Sequence, residues 1–343
     1  MKAALLEGPK NIRVADIPKP AAGKGVLLRV RACGICGSDM KFYNYGDRVK
    51  KFPQILGHEV AGEVVEVGSG VDSLAVGDRI ALRNEVQCGR CPACLKGLEN
   101  VCENIEDVIG VTIPGGLAEY MLLTEEIIEK GLANKMPEKM AYEEGALAEP
   151  LGCVVNGLEF ARMEEGKSVL VIGAGPIGCM IINLARIMGA SEIVVVDKNQ
   201  KRLDMARPFG ADHYVYGENF LDDVLGLSKG GYDVVMSACS DSKAHEKAIL
   251  AAGRGGFVNL FGGIAKGLDD AVSFPNNFIH YRQCSVGGTF SQTRHHHKRA
   301  LQYLAAGKIK AGEIITHKFG LDEAEKAIKT VQNQECLKVM VLP

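Results

Sequence analysis

The sequence lacks a surplus of charge of either sign. Forty Lys and Arg residues stand against 42 Asp and Glu, giving a net charge of −2. A nucleic-acid binder normally carries a basic excess, so that class is not expected, although a local basic pocket is compatible with this balance. The amino-terminal stretch 1–20 carries charges early and has no long apolar centre, so it does not read as a secretory signal. Long apolar runs are missing too. The most apolar stretch, 169–190, is interrupted by Gly173, Gly175, Gly178, Gly189, a proline, Asn183 and Arg186, which argues against a membrane-spanning helix. With neither signal nor span, a cytoplasmic location is expected. The eleven cysteines then read as ligands or core thiols rather than disulfides. Internal repeats and low-complexity tracts are absent.

What is present is ordinary globular composition, 47% apolar and 24% charged, over 343 residues. That length suggests about two domains and is ample to bury a core. Glycine is abundant, 41 residues against a usual share of ~7%. Residues 1–154 are rich in β signals, such as Val26–Arg31 and Val60–Val67, punctuated by glycine and proline. They read as a compact, mostly antiparallel unit with inserted loops. From about residue 155 the texture changes. Ser168–Ile172, Glu192–Asp197, Tyr232–Ser237 and Gly256–Phe261 are short buried strands, the first three separated by helical patterns. Such alternation implies an α/β domain with a doubly wound parallel sheet. Amphipathic helices are expected near Lys298–Ala306 and Asp322–Gln332, the second with Asp322 and Glu325 as a capping pair. A strand at Lys338–Leu342 closes the chain.

Three constellations carry chemistry. Cys88, Cys91, Cys94 and Cys102 lie within fifteen residues. Four thiolates complete a tetrahedral zinc and leave no open position, so this ion would be structural. An iron–sulfur cluster is the rival that uses the same donors. The second set is dispersed: Cys36 in C-G-I-C-G-S-D, His58 and Glu59 in G-H-E-V-A-G, and Glu149 in A-E-P-L. Each alone is weak, because a lone His or Cys is usually core or surface filler. Together they offer sulfur, nitrogen and carboxylate oxygen, a set that suits zinc with one position left for substrate. The third is G-A-G-P-I-G, Gly173 to Gly178 with Pro176 and Ile177 between, which follows a strand and opens a helix, with Asp197 at the end of the next strand. Gly173 permits the tight turn, Gly175 a close approach to a pyrophosphate and Gly178 helix–strand packing; Asp197 would bind a ribose 2′-hydroxyl, favouring NAD over NADP. Lys198 and Arg202 weaken that preference.

G-H-E-V-A-G-E-V-V-E-V-G-S-G-V, with C-G-I-C-G-S-D and the four-cysteine lobe, resembles the medium-chain, zinc-dependent alcohol dehydrogenase superfamily over essentially the whole chain. The E-P-L at Glu149 resembles its sorbitol (polyol) dehydrogenase branch. The resemblance implies a GroES-like β-rich catalytic domain at 1–154 with a structural-zinc lobe at 88–102, a Rossmann domain at 155–290, and a return to the catalytic domain at 291–343, with the active cleft between the domains. It implies two zinc ions per chain, the catalytic one held by Cys36, His58 and Glu59, with Glu149 a fourth ligand or a water-bridged neighbour. It implies that Arg202 packs near the adenosine, that Phe261 and Gly262 end a strand near the cofactor, and that Thr289 and Phe290 contact the nicotinamide side. The bland reading of Phe261 and Phe290 is plain core. The implied reaction is reversible hydride transfer from a secondary alcohol of a polyol-like substrate to NAD+, giving a ketone, with Ser38 placed to accept the hydroxyl proton.

The match breaks at one place. The polyol family often shows G-S-D-x-H, and here that last position is Lys41. Lys41, Lys50 and Lys51, with Arg294, could hold an anionic substrate such as a polyol phosphate or a sugar acid; a solvated loop is the bland reading. An L-threonine 3-dehydrogenase-like activity is a further alternative, disfavoured because that branch usually has threonine at the position of Ser38. A zinc- and dinucleotide-binding protein without turnover is the non-enzyme alternative. The partners expected are a small-molecule alcohol or polyol and a second copy, as a homodimer or homotetramer joined along Ser285–Phe290; neither nucleic acid nor membrane is expected.

Overall fold

The computed structural model describes residues 1–105, 107–264 and 269–343. The chain divides into two units, Met1–Gly152 with Gln292–Pro343, and Cys153–Ser291. The sequence had set these boundaries at 154/155 and 290/291.

The first unit is built on a seven-stranded sheet. Its central strand, Val26–Ile35, pairs antiparallel with Glu59–Val67, Tyr120–Leu123 and Lys338–Leu342. Its apolar positions Val26, Leu28 and Val30 join Val60, Val64 and Ile80 in one buried cluster. Burial fixes the register, because a one-residue slip would turn every one of these side chains to the opposite face. That register sets Gly34 opposite both Glu59 and Met340, so three distant segments meet at the carboxyl end of one strand. The sheet is not antiparallel throughout: Ile315–Gly320 runs parallel to Lys338–Leu342, with the Ala324–Gln332 helix in the connection.

The expected cap on that helix does not form. A 3-10 turn at Leu321–Glu323 precedes it, and both carboxylates find other partners. Asp322 pairs with Lys2 at 3.0 Å, while Glu325 accepts the Tyr43 hydroxyl at 2.9 Å and pairs with Lys329 at 3.0 Å. The other carboxy-terminal helix, Arg294–Ala305, is capped by Thr293, whose backbone N–H donates to His296 Nδ1 at 3.1 Å. The three consecutive histidines thus divide: His295 is exposed, His296 completes the cap, and His297 is buried.

The second unit is a six-stranded sheet with strands in the order His213–Tyr216, Glu192–Asp197, Ser168–Ile172, Tyr232–Ser237, Ala252–Leu260, Ser285–Gly288, every adjacent pair parallel. The strands read as near-continuous apolar runs because helices cover the sheet. Strand order reverses between Ser168–Ile172 and Tyr232–Ser237, so a crevice opens beyond their carboxyl ends. Ser285–Gly288 is an edge strand, and the expected extension to Phe290 stops at Gly288. The apolar stretch 169–190 is a strand, a glycine turn and the Pro176–Ile187 helix. Among the described residues, no helix is long and apolar enough to cross a membrane.

Candidate metal centre and dinucleotide cradle

Cys36 follows the central strand and caps the Gly37–Tyr45 helix, and His58 immediately precedes the strand beside it, which Glu59 opens. The pairing of these strands gathers Cys36 with residues 22 and 23 positions further on. Cys36 Sγ, a His58 ring nitrogen and a Glu59 oxygen lie within 4.8 Å of one another. That spacing admits one ion with bonds of ~2.0–2.3 Å, and a thiolate, an imidazole and a carboxylate together suit zinc with a position left open. Two glycines make room. A Cβ on Gly34 would overlap the Glu59 carboxylate, and one on Gly57, whose φ is +93°, would overlap Cys33 Sγ.

Two residues support this set from outside. Asp39 is fully buried; its Oδ2 accepts the Cys36 backbone N–H at 2.8 Å, and its Oδ1 stands 3.4 Å from His58 Nδ1. Among the described residues neither Asp39 Oδ1 nor His58 Nδ1 has another partner. This assigns the proton to Nδ1 and leaves Nε2 as the lone-pair side, the arrangement common behind metal-ligating histidines. Burial pulls the His58 pKa down, but Asp39 and Cys36 hold it well above the ordinary value, so an ion at Nε2 would have to displace a proton there. Lys338, buried, donates to both Glu59 oxygens, at 2.6 and 2.8 Å. Burial disfavours its charge, and Glu59 and Cys36 more than offset this, raising its pKa. Sequence reasoning assigned no role to either residue. Asp39 lay inside a motif that was read for its cysteine and serine. The signal for Lys338 was a lysine leading an otherwise apolar strand.

Ser38 Oγ lies 3.5 Å from His58 Nε2. Glu149 is buried in the first turn of the Ala148–Phe160 helix but falls outside the close group of three. Burial, with Glu59 and Glu85 nearby, pushes its carboxyl up to about 7, against the opposing pull of His58 and Lys338. Its carbonyl accepts from Gln292 Nε2 at 2.8 Å, and the Gln292 amide fills the space a Cβ on Gly152 would need. The four basic candidates separate. Arg294 Nε donates to Glu99 Oε1 at 2.8 Å and Lys50 stands 3.8 Å from Asp107, so both are drawn to acidic neighbours. Lys41 lies one helical turn beyond Ser38, and Lys51 is exposed; neither has an ion-pair partner among the described residues.

The second cluster brings together the thiols of Cys88, Cys91, Cys94 and Cys102, all within 4.8 Å. Backbone N–H groups point at the sulfurs: that of Cys91 at Cys88 Sγ, 3.3 Å, and those of Cys88 and Asn104 at Cys102 Sγ, 3.3 and 3.4 Å. Such donors favour thiolate, and those of Arg90 and Cys91 bring Cys88 down to about 6. All eleven cysteines are free thiols. The set fits a closed tetrahedral ion.

In the second unit Gly173 has φ +104°, and a Cβ there would stand 2.8 Å from the Ala238 carbonyl. Gly178 packs on the Gly173 carbonyl with no room for a Cβ. Gly175 caps the Pro176–Ile187 helix, with Pro176 at its first position, so the helix N-terminus faces the turn and favours a phosphate. Asp197 accepts the backbone N–H of Ala174 at 2.7 Å and of Asn199 at 2.8 Å. The Arg202 guanidinium lies beside Gly175, its buried Nε without a partner among the described residues. Phe261 packs on Gly157, Thr289 Oγ1 accepts from Asn259 Nδ2 at 3.1 Å, and Phe290 is exposed.

Residues 22–133 match the alcohol dehydrogenase GroES-like domain family, and residues 176–306 the zinc-binding dehydrogenase family. The chain is 31% identical to sorbitol dehydrogenase of Bacillus subtilis (strain 168), over 100% of this chain and 97% of that one. The chain belongs to the zinc-dependent alcohol dehydrogenase superfamily. It is also 34% identical to L-threonine 3-dehydrogenase of Pyrococcus abyssi, over 100% and 97% of the two chains. Its fold superposes with a TM-score of 0.92, at 32% identity and covering 100% and 99% of the two chains, on a zinc-binding dehydrogenase from Sinorhizobium meliloti 1021 bound to NADP. A GroES-like unit joined to a Rossmann-like one is thus accounted for, and the protein is an oxidoreductase of the zinc- and nicotinamide-dependent kind.

Proposed function

We propose that this enzyme oxidises a secondary hydroxyl of a polyol-like substrate to a ketone, reversibly, with NAD+ as the preferred hydride acceptor. The observation that carries the reading is the Cys36–His58–Glu59 set, gathered within 4.8 Å and held by Asp39 and Lys338. These three residues would hold the catalytic zinc, with Glu149 beside them. The four cysteines would hold a second, structural zinc. Zinc at the open site supplies Lewis-acid polarisation of an alcohol oxygen. The chain's own residues do the rest. Asp39 keeps His58 in one tautomer, and Lys338 holds both Glu59 oxygens in place. Ser38, on the accessible side of His58, takes the substrate hydroxyl proton and passes it outward. Gly173, Gly175 and the helix N-terminus seat the pyrophosphate, and Asp197 faces the adenosine ribose, with Arg202 against the turn. Phe261, Gly262, Thr289 and Phe290 border the nicotinamide half. A second reading, oxidation of an amino alcohol, is favoured by the likeness to L-threonine 3-dehydrogenase. The unpartnered Lys41, on the helix that bears Ser38, favours an anionic polyol derivative.

NADH formation by zinc-loaded protein across free polyols, polyol phosphates, sugar acids and threonine, each with NAD+ and NADP+, tests the reading. Turnover of a free polyol with NAD+ supports it. Turnover of threonine alone, or silence throughout, removes the polyol assignment.

A further inference from the structure

His245 is a buried histidine far in sequence from every motif. It lies on the Ser242–Leu250 helix, beside Ala248 and Ile249 of the apolar cluster that backs the parallel sheet. A polar ring there is costly unless both nitrogens are bonded, and both are. Nε2 lies 3.0 Å from the Gly262 carbonyl and Nδ1 lies 2.8 Å from Ser237 Oγ. A carbonyl only accepts, so Nε2 carries the proton, Nδ1 accepts, and the Ser237 hydroxyl donates. Cys239 Sγ, 3.7 Å from the same hydroxyl oxygen, is left as its donor. Burial lowers the His245 pKa, which keeps this neutral tautomer in place.

The ring therefore ties two loops that both leave the sheet at its carboxyl edge. Ser237 ends one strand, and its carbonyl accepts the backbone N–H groups of Phe261 at 3.1 Å and Gly262 at 3.0 Å. Gly262 lies so close to the Cys239 backbone that a Cβ would overlap it. The Ala238 carbonyl stands against Gly173. Gly173 and Ala238–Cys239 leave the two strands that flank the topological switch point, where ligands of such sheets bind, and Phe261–Gly262 leaves the next strand beside them.

We infer that His245 is a positioning residue for the nicotinamide half of the dinucleotide: by clamping Ser237 to Gly262 it sets the gap between the Ala238–Cys239 and Phe261–Gly262 loops. The inference rests on the dinucleotide reading above. Two amides separate its halves. Glutamine reaches as far as Nε2 and restores the bond to Gly262, whereas asparagine reaches only the Nδ1 position and leaves the Gly262 carbonyl unpaired.

The test is the Kd for NADH of the zinc-loaded protein and of His245→Ala, His245→Asn and His245→Gln, read by nicotinamide fluorescence in a chain that has no tryptophan. The Ala and Asn variants are expected to weaken binding by about tenfold, and Gln to stay within about threefold of the parent. The KM for NAD+ should rise by the same factors, with kcat changed less. A Gln variant as weak as Asn, or an Asn variant as tight as the parent, overturns the inference; this pair decides even where Ala does not fold. A parent protein that binds no NADH overturns the dinucleotide reading itself and the inference with it.

Discussion

Lys338→Met removes the buried ammonium that faces Glu59 and replaces it with an apolar chain of similar length. The pair has N–O distances of 2.6 and 2.8 Å, and neither side chain is exposed by more than 4%. Breaking a pair this buried leaves a carboxylate without compensation, at a cost of about 3–5 kcal/mol. In a cooperative unit of about 200 residues this lowers Tm by about 6–20 °C. The Glu59→Gln/Lys338→Met double variant removes both charges and should recover most of the loss, since uncharged replacements of buried pairs are often near neutral. The same carboxylate faces the Cys36–His58 side, so an ion held there offsets part of its charge. The melting loss of Lys338→Met should therefore be larger in chelator-treated protein than in zinc-loaded protein. Calorimetry of the parent, both single variants and the double variant, in both metal states, gives the full cycle. A Lys338→Met loss below about 1 kcal/mol would refute the burial argument. An equal loss in both metal states would show that Glu59 is not shared with an ion.

Three further outcomes are expected. Among the described residues neither His297 ring nitrogen has a side-chain hydrogen-bond partner, and burial, with the Arg83 charge nearby, brings its pKa down to about 3. A depressed histidine stabilises fully above its unfolded value of about 6.5 and loses that contribution as pH falls toward 3, up to about 5 kcal/mol in all. Denaturant midpoints between pH 7 and 4 should therefore fall less steeply for His297→Leu than for the parent; parallel curves would contradict this. Gly34→Ala places a methyl group in the Glu59 carboxylate, and should lower stability by about 1–3 kcal/mol and weaken zinc retention against a chelator; unchanged retention would show that the carboxylate tolerates displacement. Asp197→Ser removes the charge proposed to disfavour a 2′-phosphate, so the ratio of kcat/KM for NAD+ to that for NADP+ should fall by about tenfold or more, and an unchanged ratio would leave Asp197 without that role.

How much of this was legible depended on sequence distance. The cysteine lobe could be read from spacing alone, because its four donors lie within fifteen residues and need no knowledge of the sheet. The glycine turn was equally local, and its strand and helix stand where the apolar pattern put them. Cys36, His58 and Glu59 were weak one by one and gained weight as a donor set and through the resemblance, since strand pairing, which spacing does not reveal, brings them together. Lys338 lies 279 positions from Glu59, and only the register of Lys338–Leu342 against Val26–Ile35 makes them neighbours. Asp322 and Glu325 went the other way. Their local pattern promised a helix cap, and tertiary partners, Lys2 and Tyr43, took both carboxylates instead. His245 gave no signal, because nothing in its flanking sequence marks the two loops it joins.

Zinc content and polyol-dependent NADH formation, followed in one sample through chelation and re-addition of zinc, test the central claim most directly. The account predicts two zinc ions per chain. Turnover should vanish as the ion at Cys36, His58 and Glu59 leaves, while the Cys88–Cys102 ion and the fold persist, and zinc alone should restore it. Undiminished turnover in protein freed of that ion, or a Cys36→Ser variant as active as the parent, would contradict it.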